Sequence, residues 1–351
     1  MVSVADFDRF TFIVGAPRCG TTSLSRFLKL HPAVRFPALK EPHFFTQHDL
    51  REASDAELRR KVEREYLQRF FRHGAGRRVG ADASVTYLYA PEQLEPVLRL
   101  WPDSRFIVSV RDPLTMLPSL HRRMLFVGQE NIPSFAEAWA ATADRAEGRR
   151  IPRSCTDPRL LRYDEAPRFA TYIERLFASV GRERCHVLLF DDLVADPAGQ
   201  YRRLMNFAGL QPQDGVDLSP ERAGRSVRLL WLQRLLKQPP GPIKEHLGAH
   251  FFRRQHKPGE AAGGALEAVM ALRRRLLQWN RVEEPIEPVP QELQEEIAAS
   301  FQGEVDRLGR LLNRDLSHWL QPDVASTAAA TDDEDEDEEP SDWRYRRANS
   351  R

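Results

Sequence analysis

The residues with chemical potential begin with a loop. Residues 15–22 read GAPRCGTT, between an apolar run at 9–15 and a segment with Leu24, Phe27 and Leu28 on helical spacing. Glycines in such a turn let the backbone approach an anion, and the N–H groups that open the helix point at it. Gly15 and Gly20 keep the spacing of the nucleotide-hydrolase loop G-x-x-x-x-G-K-[ST], but Thr21 stands where that pattern has lysine. The loop offers instead Arg18 and the hydroxyls of Thr21, Thr22 and Ser23. Its chemistry is therefore read as binding of a phosphate-like group outside the usual Mg·ATP arrangement. The plain alternative is a strand-to-helix turn that binds nothing.

Two further clusters carry chemistry. The stretch RFIVSVRDP at 105–113 places Arg111 at the carboxyl end of an apolar run, where open α/β sheets put their ligands, with Ser119 two turns further on. The plain alternative pairs Arg111 with Asp112 or another acid and leaves Ser119 as a surface hydroxyl. The stretch KEPHFF at 40–45 brings an acid, a histidine and two aromatics together. A carboxylate or imidazole there could take the proton of an attacking hydroxyl. In the bland reading Glu41 pairs with an arginine and His43 is a bonded loop residue. His31 and His121 are the alternative bases, and His121 is the closer of the two to Ser119 in sequence.

The elements that must position these residues follow from periodicity. The β-branched, apolar runs at 9–15, 105–110 and 185–190 predict buried strands. Helices are expected at 21–30, 54–71, 113–126, 135–145, 166–180, 198–208, 227–236, 266–280 and 291–312, with Pro- and Gly-rich breaks at 238–242, 258–264 and 285–290. Strand–helix alternation of this kind predicts an α/β fold, a parallel sheet with helices on both faces. No internal repeat and no clear boundary is visible in 1–320, so one domain followed by a tail is expected.

Composition bounds the class. The 351 residues carry 52 Lys+Arg against 51 Asp+Glu, a formal net charge of +1. Residues 321–351 hold 10 of the acids and 4 of the bases, with eight acids unbroken at 332–339. Like charges in a run repel and bury nothing, so 321–351 is expected to be a disordered acidic tail. The remaining body is mildly basic, which suits an anionic ligand without demanding nucleic acid. Only six of the basic residues are lysine, a skew that makes any single arginine weak evidence. No run reaches the ~20 apolar residues of a membrane helix. The N-terminus has no secretory pattern. Cys19, Cys155 and Cys185 are too few and too scattered for a disulfide framework or a metal site. A soluble, cytoplasmic, metal-free protein is expected.

PRCGTTSL at 17–24 resembles the 5′-phosphosulfate-binding loop of the sulfotransferases, which use 3′-phosphoadenosine 5′-phosphosulfate (PAPS) as sulfuryl donor. Many members have lysine where this chain has Arg18, a change that keeps the charge. The 105–119 stretch resembles the family's 3′-phosphate-binding segment, with Arg111 and Ser119 at the matched positions. The resemblance spans roughly residues 9–320, and only these two motifs are specific. KEPHFF is similar to a segment of the heparan-sulfate-type branch, which implies Glu41 as general base and His43 as its histidine. GADASVTY at 80–87 resembles the stretch between the two motifs, where some branches have a lysine beside the acid and this chain has Ala83. Residues 187–197 and 305–319 resemble later family segments. The late basic loop of cytosolic members is not clearly present, with Arg253, Arg254 and Lys257 as substitutes. The resemblance implies a three-layer, P-loop-like fold. It also implies in-line sulfuryl transfer to a hydroxyl or amine of a small-molecule or glycan acceptor. The donor would lie on Arg18, Cys19, Gly20, Thr21, Thr22, Ser23, Arg111 and Ser119. Two readings remain beside it: a P-loop phosphotransferase or kinase, and a non-catalytic nucleotide-binding protein with an interacting tail.

Overall fold

The three apolar runs are strands of one sheet in the computed structural model, which describes residues 1–74, 76–218, 226–239, 264–282 and 288–322. Strand β1 is Arg9–Gly15 and helix α1 is Thr21–Leu30, as the periodicity predicts. There follow β2 Val34–Arg35, α2 Asp55–Lys61, β3 Val79–Asp82, β4 Arg105–Val110 and α3 Pro113–Phe126. Next come α4 Phe169–Val180, β5 Cys185–Leu189, α5 Pro197–Phe207, β6 Ser226–Val227 and α6 Leu230–Lys237. The series ends with α7 Gly264–Asn280, β7 Arg281–Val282 and α8 Gln291–Leu312.

The main sheet has the order β2-β3-β1-β4-β5, and every pairing in it is parallel. Every residue of β1 except Arg9 is buried, as expected of a central parallel strand covered on both faces. Its alternating side chains split the core in two. Ile13 packs with Leu24, Phe27 and Leu28 of α1 and with Leu204 and Met205 of α5, an aliphatic layer. Phe10 and Phe12 point the other way, into an aromatic layer with Phe7, Tyr66, Phe71, Trp101 and Phe106. After β1 the chain fills β2 and β3 on one side, then crosses to β4 and β5 on the other. The carboxyl ends of β1 and β4 therefore flank the point where the strand order reverses, the ligand crevice of open α/β sheets.

Several expected helices are divided differently. The charged stretch at 54–71 starts with a capping box, Ser54 to Glu57, runs as α2, widens into a π-helical segment at Val62–Leu67 and ends as Gln68–Phe70. The 135–145 helix is two, Phe135–Ala140 and Thr142–Ala146. The 166–180 helix starts only at Phe169, after Pro167, whose ring fixes φ and removes a donor. The 227–236 helix gives its start to β6, which pairs antiparallel with β7. The expected acidic run at 332–339 and the basic candidates Arg253, Arg254 and Lys257 lie outside the described residues.

The described chain falls into two compact units, and the division runs within α3 between Leu117 and Pro118. The first holds the five-stranded sheet with 166–218 and 290–322; the second holds 118–165 with α6, α7 and the β6–β7 pair. The second unit has its own buried charge pair: Arg145 and Glu130 meet at 2.9 Å, both side chains wholly enclosed. Tyr163 donates its hydroxyl to the same Glu130, and the 131 and 132 backbone N–H groups complete its satisfaction. No helix among the described residues is long and apolar enough to cross a membrane.

A methyl group added to Gly80 on β3 would overlap the enclosed ring of Phe10. Gly80→Ala is therefore expected to destabilise the protein by about 1–3 kcal/mol, read as a lowered urea midpoint with unchanged slope. A midpoint equal to wild type would contradict the packing described for this face.

Candidate functional site

The loop between β1 and α1 is shaped by close approach. Gly20 caps α1 in the left-handed region, φ 78°, and a Cβ on it would lie 2.7 Å from Leu193 Cδ2. A Cβ on Gly15 would lie 2.7 Å from that of Leu88. Arg18, at φ 64°, also takes the left-handed conformation, which is uncommon outside glycine and typical of functional turns.

The end of β4 holds this loop in place. The Ser109 carbonyl accepts the Ala16 N–H at 2.8 Å. The Ser109 hydroxyl donates to the Cys19 carbonyl. Arg111 donates through Nη1 to the Arg18 carbonyl at 3.3 Å. The loop's carbonyls are thus turned toward β4, and the first intrahelical bond is Leu24 N–H to the Gly20 carbonyl. That leaves the N–H groups of the first turn of α1 without an intrahelical acceptor, the anion-receiving end of a helix. The turn contains no acidic residue and no side-chain cap to compete for them. The Cys19 side chain is buried and bonds back to the Pro17 carbonyl at 3.4 Å.

Arg111, only 4 % exposed, is held by Thr115 Oγ1 at 3.0 Å and lies over the Phe190 ring, 4.6 Å from its centroid. The neighbouring acid does a different job. Asp112 accepts the Leu114 N–H at 3.0 Å and the Leu320 N–H at 3.3 Å, and burial pushes its pKa up to about 6, with Asp191 adding to the rise. Asp191 accepts the Trp319 ring N–H at 2.7 Å, and Arg314 grips Asp192 with both Nη atoms. The segment after α8 is thereby fastened beside the end of β4. Ser119 is buried, in the part of α3 that belongs to the second unit.

The segment at 40–43 hangs from a buried carboxylate. Asp82, at the end of β3, is fully enclosed and accepts Tyr66 Oη at 2.7 Å, Tyr87 Oη at 3.1 Å and Ser84 Oγ at 2.7 Å. Burial raises its pKa above the ordinary carboxylate value, against the lowering effect of these three donors. Ser84 Oγ in turn accepts the His43 N–H at 2.9 Å. The His43 ring is set between Thr86 Oγ1, 2.8 Å from Nδ1, and Glu41 Oε2, 3.3 Å from Nε2. A carboxylate only accepts, so the ring proton belongs on Nε2 and Nδ1 accepts from Thr86. Glu41 and His43 are both left-handed, at φ 56° and 50°, and join Arg18 as non-glycine residues held in a rare conformation. Lys40 reaches across to Thr22, Nζ to Oγ1 2.9 Å, and ties this segment to the first turn of α1.

The structure thus gathers the loop, Arg111, Lys40, Glu41 and His43 in the first unit. The alternative bases are engaged elsewhere. His31 Nε2 lies 3.0 Å from the Gln211 carbonyl and Nδ1 accepts the Ala33 N–H; His121 Nε2 lies 2.9 Å from the Ile132 carbonyl. Sequence reading missed Lys40, Thr86 and Ser109 as site residues. Lys40 stands in the quoted KEPHFF motif, and Asp82, Ser84 and Thr86 in GADASVTY, but only contacts distant in sequence give them their parts.

The model of the "Sulfotransferase family" matches residues 11–214, more than half the chain, and the chain belongs to that family. It is the family that the loop's resemblance implies. Carbohydrate sulfotransferase 15 of Homo sapiens and of Rattus norvegicus are each 56% identical to it over 36 residues, 10% of this chain and 6% of theirs. The chain thus spans a small fraction of the length of those relatives. The crystal structure of a sulfotransferase from Alicyclobacillus acidocaldarius superposes with TM-score 0.56 at 24% identity, covering 89% of this chain and 98% of that one. The fold expected from strand–helix alternation, a parallel sheet flanked by helices, is the fold observed.

Two predictions follow from the buried carboxylates. Asp82→Asn would place an amide N–H₂ among three hydroxyl donors, at an expected cost of about 1–3 kcal/mol in denaturant unfolding. An isostable Asp82→Asn protein would refute the donor arrangement. For Asp112, a folded-state pKa above the unfolded one means the folded protein binds the extra proton, so this residue's penalty builds as pH rises from about 4 to about 6, is level above that and vanishes below about 4. Asp112→Asn keeps an acceptor for both N–H groups without the charge. Its melting temperature relative to wild type is expected to be higher at pH 7.5 than at pH 4.5, and a difference that does not vary with pH would contradict the assignment.

Proposed function

We propose that the chain transfers a sulfuryl group from PAPS to a hydroxyl or amine of a small-molecule or glycan acceptor. One observation carries this reading: the segment bearing Glu41 and His43 is fastened by Lys40 to the first turn of α1, so a carboxylate stands beside an anion-receiving helix end. The residues present fit a donor with anionic groups at both ends. Gly20 lets Leu193 and Phe190 pack against the loop, no acid occupies the first turn, and Arg111 supplies a second cation one strand away.

Bound there, the donor supplies a sulfuryl group on a phosphate leaving group. Arg18 and the N–H groups of 20–23 stabilise the negative charge that collects on the leaving oxygen, where each preorganised donor is typically worth ~3–4 kcal/mol. Arg111 holds the 3′-phosphate, the part its motif implies. Glu41 accepts the acceptor's proton as the acceptor oxygen bonds sulfur and the bond from sulfur to the phosphate oxygen breaks, leaving adenosine 3′,5′-bisphosphate. His43, oriented by Thr86, steadies the Glu41 carboxylate.

The test begins with ligand stabilisation. Adenosine 3′,5′-bisphosphate is expected to raise the melting temperature more than ATP with or without Mg²⁺, by the equivalent of ~2.7 kcal/mol at a hundred times its Kd. Preference for Mg·ATP would overturn the donor assignment in favour of phosphoryl transfer. With donor and an accepted acceptor, Arg18→Ala should lower turnover by roughly 10²–10³ with the fold intact. Glu41→Gln should lower it by roughly 10²–10⁴ while bisphosphate still binds. Normal turnover in the folded Glu41→Gln protein would place the base elsewhere.

A further inference from the structure

Most of the large apolar side chains that stand exposed among the described residues lie in the second unit. They are Leu229, Trp231 and Leu235 at α6 and Val269, Leu272 and Trp279 in α7. The seam between these two helices is polar instead. Asn280 accepts the Leu229 N–H at 2.9 Å and donates to the Leu229 carbonyl at 3.1 Å. The same amide donates to Gln233 Oε1 at 3.2 Å, and Gln233 donates to the Phe126 carbonyl at 2.6 Å. Arg273 Nε donates to the Leu236 carbonyl at 3.0 Å. Gln233 and Asn280 are buried, whereas Trp231 is 64 % and Trp279 54 % exposed. A helix pair that faces only water sorts the other way, with apolar groups in the seam and amides outside.

On α7 the apolar positions form a line. Val269, Leu272, Leu276 and Trp279 follow at intervals of three and four, one stripe of a helix, and the stripe beside it, with Met270, Arg273 and Asn280, is the buried one. Arg275 is exposed and borders the apolar stripe, three positions after Leu272 and four before Trp279. The Arg228 guanidinium lies over the Trp279 ring, 5.7 Å from its centroid. Residues 264–282 hold four bases and one acid, residues 226–239 three bases and no acid, and the whole stretch 226–289 eleven bases and six acids. We infer that α7 is a lipid-contacting element, which lays its stripe from Val269 to Trp279 on a membrane surface rich in anionic headgroups.

Charge and side-chain type select this occupant. A helix with tryptophan and leucine on one face and arginine at its rim has the pattern of helices that lie in the plane of a bilayer interface. Indole rings favour headgroup depth, and arginine stems run along apolar groups while the guanidinium stays with the phosphates. A second copy of the chain would bring Arg228 and Arg275 against the same two residues, like charges across a two-fold contact. The stripe belongs to the second unit and does not depend on the donor chemistry of the first.

Co-sedimentation of the full chain with lipid vesicles tests this. Vesicles of phosphatidylcholine with phosphatidylserine are expected to bind it at least about tenfold more tightly than vesicles of phosphatidylcholine alone. Raising the salt from ~0.1 to ~0.5 M should remove most of that difference. Leu272→Ser with Trp279→Ser should weaken binding to the anionic vesicles by about tenfold or more, and Arg228→Glu with Arg275→Glu by as much. Leu30→Ser, at an exposed apolar position of the first unit, should change nothing. If the Leu272→Ser, Trp279→Ser protein does not fold, Leu272→Gln alone carries the same comparison. Absence of vesicle binding would overturn the inference, and so would equal binding to both kinds of vesicle or undiminished binding by the stripe variant. A wild-type dimer in sedimentation velocity that the stripe substitutions turn into a monomer would assign the stripe to a second copy instead.

Discussion

A helix end can receive an anion only if the carbonyl groups of the turn before it point somewhere else. Here they point at β4. Ser109 takes the Ala16 N–H on its carbonyl and gives its hydroxyl to Cys19, and Arg111 gives an N–H to the Arg18 carbonyl. Two residues of one strand end thus set the polarity of the whole loop. Arg111 follows β4 directly, so the residue that orders the loop stands at a strand end beside the strand-order reversal. Neighbouring parallel strands are what allow this, because β1 and β4 deliver their carboxyl ends side by side.

The second support is Asp82. A carboxylate with no water contact is costly unless donors surround it, and three hydroxyls do so. One of those hydroxyls, Ser84, passes the constraint on to the His43 backbone. The rare backbone conformation at 18 is tied to Arg111 through its carbonyl, and that at 43 to Ser84 through its N–H. Rigidity at the centre of the site is thus derived from the aromatic layer of the core, to which Tyr66 and Tyr87 both belong.

Much of this was legible from residues alone. A run of five apolar or β-branched residues at 10–14, a glycine turn and a helical period are local signals, and β1, the loop and α1 came out where they predict. Arg111 at a strand end was readable for the same reason. Strand β3 escaped because VGAD has neither length nor alternation, and its strand state comes from pairing with β1 and β2. The single helix expected at 54–71 failed because apolar periodicity does not distinguish an α-turn from the wider π-turn at 62–67. Lys40 and Thr86 could not be found by spacing, since their partners are 18 and 43 residues away in sequence. His121 looked serviceable beside Ser119, yet its ring is committed to a carbonyl eleven residues further on.

The fastening of residues 314–320 to Asp112, Asp191 and Asp192 has a bearing on synthesis. A ribosome releases the phosphate loop early and this fastening segment about 300 positions later, a delay of roughly 15–60 s at ~5–20 residues per second. For about the last 200 of those positions the Asp112 carboxyl lacks one of its two N–H partners, the Leu320 N–H. The nascent chain therefore carries the loop long before the strand end that shapes it has its final surroundings, and the site matures last although its signature motif emerges first.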